Sequence, residues 1–169
     1  MKVSNYRVGR IVKYEDLQRY TIGQLLSRPQ MITNPNYSPK KVQIETAFED
    51  MRKMTFPNMP SRKNSLFVFP FEERYEQEWL NTMYPKLNVD YVLLTLVLNG
   101  ELYWFDADYY NDSYYADENS IKRNALNYWR VVDDYSQLPL VEGLFIGNAI
   151  VENIEVKYYY GNEGETIYL

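Results

Sequence analysis

The sequence predicts a single α+β domain that spans residues 1–169. A chain of 169 residues with 46% hydrophobic residues is long enough to bury one core of its own. Segments with helical spacing of apolar residues fall mostly in the middle of the chain, whereas strand-like segments lie at both ends and between the helices. No internal repeat and no low-complexity linker divides the chain. This order favours α+β packing over a regular βαβ series.

The first half of the chain is predicted to contain two strands, three helices and a proline-rich loop. The ranges are 6–12 (strand), 14–26 (helix), 28–40 (proline-rich loop), 41–54 (helix), 64–69 (buried strand) and 72–82 (helix). Residues 6–12 alternate polar with apolar side chains, which is typical of a strand. Pro39 stands just ahead of the helix at 41–54, and Pro57 and Pro60 end that helix.

The second half is predicted to contain a hairpin, a helix and terminal strands. The ranges are 91–98 and 101–106 (hairpin strands), 108–119 (loop), 120–130 (helix), 144–146 and 149–160 (strands) and 161–169 (loop with a last short strand). Asn99-Gly100 is typical of a tight hairpin turn. Ser120 is predicted to cap its helix, and Gly147-Asn148 predicts a break between the last strands.

Composition excludes several classes of chemistry. The chain has no cysteine, which excludes disulfides, thiolate zinc sites and cysteine nucleophiles. It has no histidine, which removes the commonest general base and every Ser-His-Asp triad. Motifs for phosphate loops, dinucleotide binding and calcium loops are absent. Asp106 and Asp108 could share one face, but two carboxylates are too few for a metal site, and none is predicted.

The net charge and the hydropathy of the chain indicate which partners and which cellular compartment to expect. The net charge of -5 argues against non-specific attraction to nucleic acid or to an anionic membrane. Residues 1–7 lack the apolar core of a signal peptide, and the longest apolar run, 91–98, is far too short to cross a bilayer. We therefore expect a cytoplasmic protein with no membrane partner.

The segment 60–65, Pro-Ser-Arg-Lys-Asn-Ser, is the first candidate for a working site. It places cations and hydroxyls directly before a buried strand. One interpretation is a solvated strand entrance in which Ser61 and Asn64 make turn hydrogen bonds. The other is a rigid corner that presents Arg62, Ser61 and Ser65 to an anionic ligand.

Arg7 and Glu142 are the other candidates. An arginine within a short strand commonly lies on the solvent-exposed face of the sheet. Arg7 is therefore a site candidate only if its strand lies next to that of the 60–65 corner. Glu142 lies in an apolar stretch at 138–146, where a carboxylate must either point outward or be held by partners. The residues alone leave these alternatives open.

Motifs from residue 6 to residue 154 resemble a known family. In chain order they are Tyr6-Arg7, Glu49 and Arg52, Phe56-Pro57-Asn58-Met59-Pro60-Ser61-Arg62-Lys63-Asn64-Ser65-Leu66-Phe67, Trp104-Phe105-Asp106, Asn124-Ala125-Leu126-Asn127-Tyr128-Trp129 and Val141-Glu142-Gly143-Leu144-Phe145-Ile146-Gly147-Asn148-Ala149-Ile150. Together they resemble poorly characterised bacterial and phage proteins with an ADP-ribosyltransferase-like fold. The resemblance implies two small packed β-sheets that form a split cleft with helices around them.

The resemblance also implies a ligand and a site. NAD would bind as the substrate, and Glu142 would be the catalytic carboxylate. The implied NAD-binding residues are Arg7, Tyr6, Ser61, Arg62, Asn64, Ser65 and Tyr103. The family pattern for transfer to arginine side chains has a second acidic or amide residue where this chain has Leu140. The resemblance therefore leaves acceptors other than arginine open.

The function implied in this way is an NAD-dependent ADP-ribosyltransferase, a glycosyltransferase that modifies a macromolecule, either protein or nucleic acid. A phage effector or a toxin would use such an activity. The alternative is a catalytically inactive binding or inhibitor protein on the same fold, acting through the acidic, tyrosine-rich stretch 106–118. Plain hydrolysis of NAD by a toxin is a third hypothesis. The sequence predicts no oligomeric state.

Overall fold

The computed structural model describes residues 1–26 and 37–161, and it confirms the α+β class. The described strands are β1 (Lys2–Lys13), β2 (Leu25–Leu26), β3 (Leu66–Pro70), β4 (Val89–Asp106) and β5 (Val141–Tyr159). The described α-helices are α1 (Pro39–Thr55), α2 (Glu73–Met83), α3 (Asp108–Asp112) and α4 (Glu118–Tyr128). Short 3₁₀ helices lie at Tyr14–Arg19, Arg62–Asn64, Ser113–Tyr115 and Tyr135–Gln137.

The described strands form one hydrogen-bonded sheet in the order β2-β5-β3-β1-β4, and β5 also pairs with β4. β1 runs antiparallel to β3, with Val8 opposite Pro70 and Gly9 opposite Phe69. Glycine is required at position 9 because a Cβ there would lie 2.4 Å from Cε2 of the Phe69 ring. The two small packed sheets that the resemblance implies stay a prediction.

The chain divides into two compact units. The described part of the first, called the helical unit, consists of Met1 with residues 37–67 and 101–146. The described part of the second, called the strand-rich unit, consists of residues 2–26, 68–100 and 147–161. The single domain over residues 1–169 stays a prediction.

The core of the helical unit is aromatic and lies between α1 and α4. Its buried members are Ile44, Phe48, Phe105, Tyr110, Ile121, Ala125, Tyr128, Trp129 and Leu144. The Phe105 and Tyr128 rings stack with centroids 4.9 Å apart. The indole Nε1–H of Trp129 donates to the carbonyl of Phe48 at 2.7 Å. These contacts fix the end of α4, which matters for the site because Tyr128 belongs to it.

Helix α1 confirms the predicted helix at 41–54 and its proline signals. Pro39 is its first residue, and Ser38 caps it by accepting a hydrogen bond from the Lys41 amide at 3.1 Å. The helix ends at Thr55, before Pro57. The predicted strand at 64–69 and helix at 72–82 are likewise present as β3 and α2.

The predicted hairpin at Asn99-Gly100 is wrong, because β4 continues through both residues as one strand. The type I′ turn that Asn-Gly favours needs positive φ at both central residues. Asn99 is not among the described non-glycine residues with positive φ. Its side chain instead accepts hydrogen bonds from the Asn5 amide at 3.0 Å and the Ser4 hydroxyl at 3.3 Å. Pairing with β1 therefore overrides the local turn preference.

Three other local predictions are corrected. The predicted loop at 108–119 contains α3 and a 3₁₀ turn. Asp117, not Ser120, caps α4, since its carboxylate accepts from the Ser120 amide at 2.8 Å. The expected break at Gly147-Asn148 is absent, and β5 runs unbroken.

One remaining prediction is met in part. The predicted helix at 14–26 is a 3₁₀ helix followed by β2. Most of the predicted loop at 28–40 lies outside the described residues, and its last two residues open α1. The last short strand predicted within 161–169 falls almost wholly outside the described residues. Within the described part of the chain, no helix combines the length and the apolar character that a membrane span requires.

Candidate functional site

The 60–65 corner is a capped 3₁₀ turn. The hydroxyl of Ser61 accepts from the Lys63 amide at 3.2 Å and so caps the Arg62–Asn64 turn. The hydroxyl of Ser65, which is fully buried, donates to the carbonyl of Ser61 at 2.7 Å. The interpretation as a solvated strand entrance anticipated the bond of Ser61 and one of Asn64, whose amide donates to the Ser61 carbonyl at 3.1 Å, but not the bond of Ser65. The turn also directs Arg62 inward.

Helix α1 fixes the chain that leads into this corner. Glu49 and Arg52 form a two-point ion pair, with nitrogen–oxygen distances of 2.8 and 3.0 Å. Arg52 also donates to the carbonyl of Met59 at 2.9 Å, and the Ser61 hydroxyl donates to Glu49 at 3.2 Å. The hydrogen bonds from Arg52 lower the pKa of Glu49 below its ordinary value. The corner is therefore tied to α1 by charged hydrogen bonds.

The Arg62 guanidinium lies at the centre of a buried polar group. Its Nη1 donates to the Tyr128 hydroxyl at 2.6 Å and to Oε1 of Glu142. The Tyr128 hydroxyl donates to that same oxygen of Glu142. On its other side, Nε of Arg62 donates to Oε2 of Glu45 at 3.2 Å. We call Glu45, Arg62, Tyr110, Tyr128 and Glu142 the Arg62 cluster.

Aromatic rings enclose the guanidinium. Its carbon lies 4.1 Å from the ring centre of Tyr110, 5.0 Å from that of Phe67 and 5.2 Å from that of Tyr128, which are cation–π distances. The Tyr110 hydroxyl donates to Oε1 of Glu45 at 2.8 Å. Each carboxylate of the cluster therefore receives both a guanidinium and a tyrosine donor.

Burial sets the electrostatics of the cluster. Arg62 is 5% exposed and Glu142 is 6% exposed. Burial opposes the charge of Arg62, but Glu142, Tyr128 and Glu45 outweigh that effect and hold its pKa well above the ordinary value. Burial also raises the pKa of Tyr128 well above its ordinary value, with Arg62 opposing and Glu142 adding to the shift. The hydroxyl proton is therefore retained for donation to Glu142.

The cluster has one guanidinium for two carboxyl groups. Burial of charge without full pairing is costly unless hydrogen bonds compensate, and here two tyrosine hydroxyls supply them. The result is a carboxylate, Glu142, held in one orientation in a region of low dielectric constant. Such a group can stabilise positive charge that develops beside it.

The other predicted residues lie in different surroundings. Arg7 and Tyr6 belong to β1 of the strand-rich unit, where Arg7 is exposed and makes a two-point ion pair with Glu152 at 2.5 and 2.6 Å. Asn64 is exposed at the end of the corner. The Tyr103 hydroxyl donates to Glu101 at 3.3 Å, and its ring packs against the aromatic core. The structure thus brings Arg62 and Glu142 together, with Ser61 and Ser65 in the adjoining turn.

Sequence reasoning missed Glu45, Tyr110 and Tyr128. A signal for Glu45 was present, since it follows Ile44 and precedes Phe48 by three positions on the buried face of α1. A carboxylate at such a position needs a buried partner. The tyrosines gave no comparable signal, because they sit among many others whose burial the pattern does not distinguish. Asp106, considered for a metal, accepts the Asp108 amide at 3.0 Å at the start of α3.

Comparison with known proteins gives a family. The family model described as "Protein of unknown function (DUF2441)" matches residues 8–156, and the chain belongs to this family. The match contains all members of the Arg62 cluster and begins one residue after Arg7. No curated protein matches the chain.

Proposed function

We propose that this member of the DUF2441 family is an NAD-dependent ADP-ribosyltransferase, with an ADP-ribosyltransferase-like fold, that modifies a macromolecule. The observation that carries the proposal is the hydrogen-bonded group of Arg62, Tyr128 and Glu142. It joins the 60–65 corner to the Glu142 segment, and these are two of the segments on which the family resemblance rests.

In this proposal Glu142 acts at the bond between nicotinamide and ribose. Breaking that bond develops positive charge on the ribose, as in glycoside hydrolysis. Nicotinamide takes the bonding electron pair and leaves as a neutral molecule, so no general acid is needed. A carboxylate beside the ribose accepts a hydrogen bond from a sugar hydroxyl and stabilises the charge. The reaction therefore suits a chain without histidine.

The hydrogen bonds to Glu142 suit this role. Oε1 of Glu142 accepts the hydrogen bonds that the described residues donate to this carboxylate. In the proposed complex, Oε2 accepts the hydrogen bond from the sugar hydroxyl. Glu45 shares the same guanidinium, so the cluster keeps a formal negative charge when both carboxyl groups are ionised. In a buried site this charge stabilises a developing cation more strongly than it would in water.

The contacts of Arg62 alter the role that the sequence suggested for it. Its donors reach Glu45, Tyr128 and Glu142, so we assign Arg62 to the orientation of Glu142 rather than to the diphosphate of NAD. Ser61, Asn64, Ser65 and Tyr103 keep the roles toward NAD that the resemblance implies, and the roles implied for Arg7 and Tyr6 stay predictions.

The test is incubation of the protein with NAD labelled in its adenylate part and a host lysate. Nicotinamide release and label on a macromolecule are measured together. We expect both for the native chain and a loss of about 100-fold or more for Glu142→Gln, the scale seen when a group that stabilises transition-state charge is removed. Glu118→Gln is the matched control, since it makes the same charge change at an exposed position of α4 and is expected to retain activity.

Circular dichroism must show that each variant is folded. A folded native chain that neither releases nicotinamide nor labels an acceptor contradicts the proposal. Free ADP-ribose as the sole product would assign the site to NAD hydrolysis instead.

One observation favours the alternative, a binding or inhibitor protein. Tyr115 is 95% exposed and lies between the acidic residues Asp112 and Asp117, where an aromatic ring is open to a partner with a basic groove. Calorimetry with NAD separates the two functions. No binding of NAD, with full biological effect kept by Glu142→Gln, would select this alternative, whereas saturable binding of NAD argues against it.

A further inference from the structure

The strand-rich unit contains a cavity of about 310 Å³ that the proposed function does not use. This volume is near the lower end of small-ligand sites, roughly 300–1,000 Å³. Phe69 and Leu93 line it and are buried, so they give the cavity an apolar floor. Phe71 also lines it and is 47% exposed, so part of its ring is open to solvent.

The cation at the cavity is already engaged. Lys157 donates to both carboxylate oxygens of Glu76, at 2.5 and 3.0 Å, and Glu76 is almost fully buried. The Tyr91 hydroxyl donates to Glu76 as well, at 3.0 Å. Glu76 and Lys157 therefore form a neutral, hydrogen-bonded pair in the wall of the cavity.

Three further carboxylates line the cavity beyond that pair: Glu72, Glu73 and Glu155. All three are exposed. Burial raises the pKa of Tyr91, and Glu76, Glu155 and Glu73 raise it further, which reports a negative potential at this wall. Glu72 and Glu73 also stand at the start of α2, where negative charge favours the helix. Glu155 comes from β5 instead, and its Oε1 accepts a hydrogen bond from the Asn153 side-chain amide at 3.1 Å.

We propose that this cavity binds a guanidinium group carried on an alkyl chain, the chemistry of an arginine side chain. A planar guanidinium stacks on an open aromatic ring such as Phe71 and pairs with carboxylates such as Glu73 and Glu155 through two parallel hydrogen bonds. The methylene groups of its chain fit the floor formed by Phe69 and Leu93. A compact ammonium lacks the stacking and the fork geometry, so it binds less well.

The test is a nuclear magnetic resonance titration of the full chain with agmatine, with an acetylated and amidated Gly-Arg-Gly peptide and with the matching Gly-Lys-Gly peptide. Backbone amide shifts around α2 and the end of β5 report binding. We expect a Kd on the order of 1 mM for the guanidinium probes, and weaker binding in added salt. Glu73→Gln and Phe71→Ala should each weaken it about three- to five-fold, and together about ten-fold or more.

Glu15→Gln is the matched control, because it makes the same charge change at an exposed position of this unit outside the cavity. Tighter binding of the peptide than of agmatine identifies the ligand as an arginine of another protein, and the reverse order identifies a free guanidinium compound. Three results overturn the proposal: no shifts at 20 mM probe, equal losses in Glu15→Gln, or a lysine peptide that binds as well as the arginine peptide. None of these readouts depends on NAD or on Glu142.

Discussion

Replacing Arg62 with methionine removes the centre of the Arg62 cluster. The variant leaves Glu45 and Glu142 without a cation at a site where Arg62 is only 5% exposed. Breaking a buried ion pair by removing one partner costs about 3–5 kcal/mol. In a chain of this size each kcal/mol lowers Tm by about 2–4 °C, so Tm should fall by about 6–20 °C. Because the tyrosine donors to both carboxylates remain, we expect the lower half of that range.

The assay is thermal and urea unfolding followed by circular dichroism. Arg7→Met is the control, because Arg7 also makes a two-point ion pair with a glutamate but does so in solvent. Exposed pairs contribute little, and its Tm should stay close to that of the native chain. In the double variant Arg62→Met/Glu142→Gln one of the two buried charges is gone, so part of the lost Tm should return.

A fall in Tm that is no larger for Arg62→Met than for Arg7→Met would contradict the cost assigned to unpaired buried carboxylates. A further loss of Tm on adding Glu142→Gln to Arg62→Met would contradict it as well, because the damage would then come from lost packing rather than from uncompensated charge.

Two further predictions concern single contacts. Tyr128→Phe removes the hydroxyl that bridges Arg62 and Glu142 while keeping the stacked ring, and it should cost about 1–3 kcal/mol in urea unfolding; a cost near zero would show that the hydroxyl is not held as described. The pKa of Glu49 is lowered chiefly by its hydrogen bonds from Arg52. This carboxylate therefore stabilises the fold fully at pH values above its ordinary pKa of 4.5. The stabilisation is lost as the pH falls through the lower pKa of the folded state. Glu49→Gln should therefore reduce stability near neutral pH and flatten its decline below about pH 5, whereas an unchanged pH profile would contradict the assignment.

Elements with strong local signals were predictable from the sequence. Helix α1 has Pro39 at its first position and apolar residues at helical spacing, and both act within a few residues of chain. The hairpin prediction was wrong because a contact between distant parts of the chain overrides the local preference. Asn99-Gly100 favours a turn locally, but Asn99 accepts hydrogen bonds from β1, more than 90 residues away in the chain. Such a contact cannot be read from a two-residue motif.

The candidate site shows the same limit. Arg62 and Glu142 could be singled out because charged residues beside apolar stretches require partners. Their pairing with one another joins positions 80 residues apart. The enclosure of Arg62 depends on Tyr110 and Tyr128 coming from two different helices. Neither spacing nor composition distinguishes these tyrosines from the other tyrosines of the chain.

The composition of the Arg62 cluster is itself an argument about function. Replacing a buried ion pair by apolar residues of similar volume is often neutral or stabilising, by about 1–4 kcal/mol. The neighbouring core of Phe48, Phe105 and Trp129 would accept such residues. Stability alone therefore does not explain why the chain buries two carboxyl groups around one guanidinium. What the charged arrangement provides, and an apolar one cannot, is a carboxylate fixed in a single orientation by two donors. We therefore attribute the cluster to the orientation of Glu142, and loss of activity in a Tyr128→Phe variant that stays folded would distinguish this role from a purely structural one.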